Sequence, residues 1–220
     1  MKKNRDQTSE SLLLSAILSF SGGFQDAYTY NIRGGVFANA QTGNIVLMGQ
    51  HILCGEFMTA LRYILPVAAF VLGIIIAEQI SHRFKDSSKI HWRQIVLIFE
   101  IVLLVTVGFL PKSCDTVANI VVSLSCAMQV QAFRKVHGYG YASTMCIGNM
   151  RSGAESFSQF LRSREKQSLY KAFHYFGIIL VFALGAGIGA LLSGALGINA
   201  IWMSAAILLV CCLMMIKKEF

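Results

Sequence analysis

Apolar runs of membrane-spanning length dominate the chain, at 12–31, 61–81, 94–110, 115–133, 172–194 and 198–216, with most of the charge between them. A helix needs about 20 apolar residues to cross roughly 30 Å of hydrocarbon, so six transmembrane helices are expected. Two further segments, 35–54 and 139–160, are long enough to cross but unusually polar. Each contains a Gly-Asn pair, in Asn39-Ala40-Gln41-Thr42-Gly43-Asn44 and in Thr144-Met145-Cys146-Ile147-Gly148-Asn149. They predict either two more crossings or two re-entrant half-helices.

Positive charge decides between these topologies, because Lys and Arg concentrate on the cytoplasmic side. With both segments re-entrant and the N-terminus inside, fifteen of the 19 basic residues are cytoplasmic. Only Arg33, Arg62 and Lys112 are then outside, and Arg151 lies in the second segment itself. Two full crossings would split the charges eleven to seven, so six crossings are preferred. Both termini and the loops 82–93 and 161–171 are then cytoplasmic.

An offset of 105 aligns Ala27 with Ala132, Gly35 with Gly140, Gly43 with Gly148 and Asn44 with Asn149, and sets Asp26 opposite Gln131. Further on, Phe70-Val71-Leu72-Gly73 matches Phe182-Ala183-Leu184-Gly185 at an offset of 112. The preserved order of these matches indicates an internal repeat. Repeat one covers 12–110 and repeat two 115–216. Three crossings per repeat turn the second copy upside down, an architecture that places solute sites near the midplane between discontinuous helices. The fold class expected is therefore an all-α integral membrane protein, a single membrane domain over 1–220, with six transmembrane helices and two re-entrant or broken half-helix segments in a 3+3 inverted repeat.

From Ile45 to Cys54 a helix would run about 15 Å, half the hydrocarbon thickness. Gly43 would allow the turn into it, and Thr42 or Asn44 would cap its first amides. Gly148 and Asn149 would do the same from the opposite side. Non-helical backbone at this depth must face protein or a wet cavity, so the two loops should face each other. Two helix N-termini, each carrying roughly half a positive charge, would favour an anion or a polar solute with acceptor groups.

Asp26 and Glu100 lie inside apolar spans, where an ionised carboxylate is costly and marks a cavity, a partner or a proton. The competing reading for Asp26 is a structural hydrogen bond, with Arg33 as partner, and for Glu100 a salt bridge in the bundle or plain protonation. Gln131 is the preferred polar neighbour on its helix over Gln129, because it stands opposite Asp26. The substrate-binding set expected is Asp26, Gln41, Thr42, Gly43, Asn44, Gln131, Gly148 and Asn149, with Asp26 and Glu100 as proton-coupling or structural acids. Arg151 and Glu155 are spaced to pair along one helix face. Glu78, near a cytoplasmic helix end, is expected to reach water.

Composition agrees: 55% of residues are hydrophobic and 14% charged, and the mean hydropathy is +0.59. The net charge of +8 is loop charge facing anionic cytoplasmic lipid, so no nucleic-acid partner is required. Leu12 to Phe20 resembles a signal-peptide core, but the apolar stretch runs on through Tyr28 and Tyr30, which suits a retained helix. The six cysteines show no C-x-x-C spacing and the five histidines no i, i+4 pairs, so neither disulfide framework nor metal site is indicated, and no cofactor is expected. No Ser/His, Cys/His, paired-Asp or H-E-x-x-H arrangement supports catalysis, and no catalytic residue is assigned. Gly185, Gly187, Gly189 and Gly194 form a small-residue seam suited to close packing within the chain or, through the Gly185/Gly189 face, to a homo-oligomer.

The run Gly22-Gly23-Phe24-Gln25-Asp26-Ala27-Tyr28-Thr29-Tyr30, with Gly34-Gly35-Val36-Phe37-Ala38-Asn39-Ala40-Gln41-Thr42-Gly43-Asn44, resembles the YoaK family of bacterial membrane proteins. The resemblance extends over nearly the whole chain, although Ile147-Gly148-Asn149 departs from the Thr-Gly-Asn form of the first half. It implies about six membrane spans and a bacterial plasma-membrane location, and it brings no mechanism. The function expected is a small secondary transporter or channel for a small polar or anionic solute. A non-transporting scaffold or regulatory subunit is the alternative, and an intramembrane enzyme stands third.

Overall fold

The structure, a computed structural model, describes residues 11–85, 91–136, 139–141 and 143–219. It is all-helical apart from a two-residue antiparallel pairing of Lys135–Val136 with Tyr139–Gly140. In chain order the helices are α1 (Leu12–Ile32), α2 (Gln41–Leu53), α3 (Phe57–Phe84), α4 (Trp92–Val107), α5 (Asp115–Ala132), α6 (Cys146–Ser163), α7 (Lys166–Leu196) and α8 (Ile201–Glu219). The N-terminal basic cluster (Lys2, Lys3 and Arg5) and residues 86–90 of the loop 82–93 lie outside the described residues.

A helix occupies each of the six long apolar windows. Three helical stretches are long and apolar enough to cross a membrane by length and composition: Phe57–Phe84, Lys112–Ala132, and Lys166–Met215, which holds both α7 and α8. The other two long-window helices fall short for different reasons. α4 has only 16 residues, while α1 carries Gln25, Asp26 and Thr29 among its apolar positions and buries all three. Many large apolar side chains point outward, Val71 and Ile75 on α3 and Leu184 and Leu191 on α7 among them, as expected of a surface solvated by lipid.

The half-helix starts earlier than expected. α2 begins at Gln41, not Ile45, with Ala40 as its N-cap and no side-chain cap. Gly43 therefore lies in the first helical turn; the left-handed backbone falls instead on Gly34 and Gly35, at φ +85° and +78°. These two glycines turn the chain out of α1 through a conformation costly for any residue with a Cβ.

α1 packs against α7 and α8, α3 against α5, α2 against α3, α6 against α7, and α4 against both α5 and α8. Glycines set the closest approaches. A Cβ on Gly23 would stand 2.0 Å from the Phe182 carbonyl oxygen of α7, and one on Gly185 would stand 2.1 Å from the Phe20 oxygen of α1. A Cβ on Gly73 of α3 would likewise meet the Leu124 oxygen of α5 at 2.4 Å. The Gly185/Gly189 face lies against Phe20 and Phe24 of α1, the close packing within the chain that the small-residue seam suits.

Arg33, at the end of α1, is fully buried. Its guanidinium donates to Tyr28 Oη at 2.8 Å, to the Val107 and Leu110 carbonyls at 3.0 Å and to Asp115 Oδ1 at 3.0 Å. Tyr28 donates in turn to the Ile198 carbonyl at 2.9 Å. One cation thereby joins α1 to the α4–α5 turn and, through Tyr28, to the turn before α8. Its partner is Asp115, not Asp26, which removes the Arg33 hydrogen bond as an account of Asp26.

Gly185→Ala should cost about 1–3 kcal/mol by overpacking and lower the melting midpoint in detergent. Gly187→Ala, whose Cβ would meet nothing within 4 Å, should leave it unchanged. Arg33→Ala, which strands Tyr28 and Asp115, should cost about 3–5 kcal/mol, read as loss of monodisperse protein in size-exclusion chromatography.

Candidate functional site

The loop between α1 and α2 is unwound, and polar side chains serve its backbone. Asn44 Oδ1 accepts from the Phe37 amide at 3.2 Å while its Nδ2 donates to the Phe37 carbonyl at 2.7 Å, so one side chain holds both backbone groups of one residue. Gln41 Nε2 donates to the Ala38 carbonyl at 2.7 Å and Gln41 Oε1 accepts from Asn44 at 2.9 Å. These bonds draw the chain into helix from Gln41, four residues ahead of the expected start.

Two bonds fasten the same loop to α1. Asp26 Oδ1 accepts from the Asn39 amide at 2.7 Å, and Asn39 Nδ2 donates to the Gly22 carbonyl at 3.2 Å. The second loop arrives at the same place, since a Cβ on Gly22 would stand 2.3 Å from the Thr144 methyl. The missing side chain of Gly22 is what lets Thr144 of the second loop reach α1 one turn before Asp26.

Around this junction lies a cavity of about 440 Å³, lined by Asp26, Asn39, Ala40, Gln41, Thr42, Phe70, Thr144, Met145, Cys146, Ile147, Gly148 and Phe182. Its wall is built in corresponding pairs. At the offset of 105, Asn39 stands for Thr144, Ala40 for Met145, Gln41 for Cys146 and Thr42 for Ile147; at 112, Phe70 stands for Phe182. Both α2 and α6 begin at the cavity, presenting the partial positive charge of their first turns. Among the described residues Asp26 is its one acidic lining residue, and no Lys, Arg or His lines it.

Two polar atoms of lining residues, Asn39 Oδ1 and Thr144 Oγ1, have no hydrogen-bond partner among the described residues, although each residue is only 6% exposed. Buried polar atoms are nearly always paired.

Of the expected site residues, Asp26, Gln41, Thr42 and Gly148 line the cavity. Gly43, Asn44, Asn149 and Gln131 are not in its lining. Gly43 packs toward the Phe37 ring, Asn44 is fully buried as the loop fastener and Asn149 is buried. Gln131 faces α3 and donates to Glu78. The preference for Gln131 over Gln129 is corrected: Gln129 is the buried one, donating to the Leu18 carbonyl at 3.2 Å and to Ser143 Oγ, in the second loop, at 3.1 Å.

Glu100 is not in the lining; it is fully buried on α4, with neither carboxyl oxygen partnered among the described residues. Glu78 lies at the surface, 3.7 Å from Arg134. Arg151 pairs with Glu155 at 3.0 Å on an exposed flank. No group of three His, Cys, Asp or Glu side chains able to hold a metal occurs among the described residues.

The lining residues missed from sequence were Asn39, Ala40, Phe70, Thr144, Met145, Cys146, Ile147 and Phe182. The two phenylalanines open the aligned Phe70-Val71-Leu72-Gly73 and Phe182-Ala183-Leu184-Gly185, and that pairing was the available signal.

Helices with outward apolar faces around a central polar junction define a helical membrane protein. The chain belongs to the family described as a protein of unknown function (DUF1275), whose model matches residues 14–214. It is 26% identical over 187 residues to the UPF0700 transmembrane protein YoaK of Bacillus subtilis (strain 168), covering 81% of this chain and 82% of that protein. No solved structure matches it.

In a variant retaining Cys146 as its sole cysteine, a small charged thiol reagent should react through the cavity. Adding Thr42→Trp, which fills the facing wall, should slow that reaction at least about tenfold, since bulk in a pocket of this size excludes small molecules.

Proposed function

We propose that this protein is a small secondary transporter or channel of the bacterial plasma membrane, without enzymatic activity, that passes a small polar or anionic solute through the cavity where α2 and α6 begin. The observation that carries the reading is the pairing of the cavity wall. Corresponding residues from the two halves enclose one space, where two helices begin and where two lining residues, Asn39 and Thr144, each carry a buried polar atom without a partner among the described residues.

Helix packing supports an inverted repeat. Exchanging α1, α2, α3 and α4 for α5, α6, α7 and α8 turns the α1–α7 contact into α5–α3, α2–α3 into α6–α7 and α4–α5 into α8–α1, and leaves α4–α8 as itself. The glycine contacts follow the same exchange: Gly73 against Leu124 of α5 mirrors Gly185 against Phe20 of α1. Three crossings in each half give the second the opposite direction, with the site at the interface. A volume of about 440 Å³ lies within the range of small-molecule sites, whereas a scaffold would pack its loops in dry contact.

The test is flux of small solutes into proteoliposomes. Gly148→Leu is the decisive variant, because Gly148 lines the cavity and a Cβ there meets nothing within 4 Å. It should fold normally and abolish flux. Normal flux in that variant would place the pathway elsewhere.

A further inference from the structure

Asp26 stands where an anion would bind. Its carboxyl accepts the Asn39 amide at 2.7 Å, and the amides of Ala38 and Ala40 turn toward it as well. It also lies close enough to α6 for its charge to act on Cys146, in the first turn of that helix. One carboxylate thus sits between the beginnings of α2 and α6, compensating partial positive charge that would otherwise draw a solute anion. The titratable groups facing it are Cys126 of α5 and Cys146 of α6; α3 and α7 contribute Phe70 and Phe182, and the loop before α2 contributes amides and Asn39. Among the described residues no basic side chain lines the cavity to balance a second negative charge.

We propose that Asp26 is a built-in anion that excludes the solute anion while ionised, so that the site takes a small monovalent anion only together with one proton. This deepens the transporter reading and rests on it. The bound anion takes the helix amides and the Thr144 hydroxyl, whose oxygen is buried at the cavity without a partner. The proton resides on the Asp26 carboxyl, beside the Asn39 side chain, whose Oδ1 is an acceptor lacking a donor among the described residues. One proton and one monovalent anion enter together and leave together, and the combined step moves no net charge. Gln41 and the phenylalanine pair set the size of the anion and not its charge.

The mechanism is separable from transport by measuring binding first. Thermal stabilisation of the purified full-length protein by chloride, nitrate, formate and acetate is followed from pH 4 to pH 9. At least one anion should stabilise the wild type at low pH, with an apparent affinity that falls about tenfold per pH unit once Asp26 ionises, because only the protonated fraction is competent. Asp26→Asn keeps an oxygen for the Asn39 amide and carries no charge; it should bind the same anion at all pH values. Glu100→Gln should retain the wild-type pH dependence. Affinity independent of pH in the wild type, the same fall with pH in Asp26→Asn, or no stabilisation by any of the four anions in either protein would overturn the proposal. Flux in proteoliposomes then separates the two readings. Proton-coupled, electroneutral uptake by wild type and uncoupled uptake by Asp26→Asn support both. Anion binding without flux in either protein removes the transporter reading and the coupling built on it, leaving only an anion site, while flux of the anion without protons overturns the coupling alone.

Discussion

Unwound backbone inside a helical membrane protein has to find its hydrogen bonds within the protein, and the region around the site follows from how this chain does so. Between α1 and α2 the work falls to four polar side chains. Asn44 takes both backbone groups of Phe37, Gln41 takes the Ala38 carbonyl, Asp26 takes the Asn39 amide, and Asn39 returns a bond to Gly22. Because these partners come from α1 and α2 as well as the loop, satisfying the backbone also fixes where α2 begins relative to α1. The cavity is the space left once that is done.

Close approach is the second requirement, and glycine meets it on both sides of α1. Gly22 admits Thr144 of the second loop, and Gly23 admits α7, whose Gly185 and Gly189 answer at Phe20 and Phe24. With backbone this near to backbone, a single methyl group matters more than at an ordinary apolar interface, where side chains adjust. Arg33 closes the arrangement at the far end, spending its donors on three carbonyls, a tyrosine and Asp115.

Periodicity and apolar length made the helices legible in the sequence, and the two Gly-Asn segments marked the unwound loops. The roles within those segments were less legible. Asn44 reads as a cap or a solute ligand because Asn commonly serves as either, yet its bonds run backward to Phe37, a partner seven residues away that no local rule names. Gln131 was chosen by alignment with Asp26, but a helix places positions only as well as its neighbours allow, and α3 claimed that face through Glu78. The glycine seam of α7 was legible as a packing surface; its partner was not, since within-chain and between-chain contacts demand the same small residues. Phe70 and Phe182 passed as ordinary apolar positions until the fold set them across one space.

The meeting of both loops at Gly22 is unequal in kind. At this level the first loop is bonded to α1, through Asn39 to the Gly22 carbonyl and through its amide to Asp26; the second rests the Thr144 methyl against the same glycine, its hydroxyl unpartnered. The second loop owes its seat to bonds made on either side of Thr144, from Tyr141 Oη to the Ser15 carbonyl of α1 and from Gln129 Nε2 to Ser143 Oγ. At Gly22 itself the first loop is therefore tied and the second only fitted, by dispersion contact that is weaker atom for atom than a hydrogen bond.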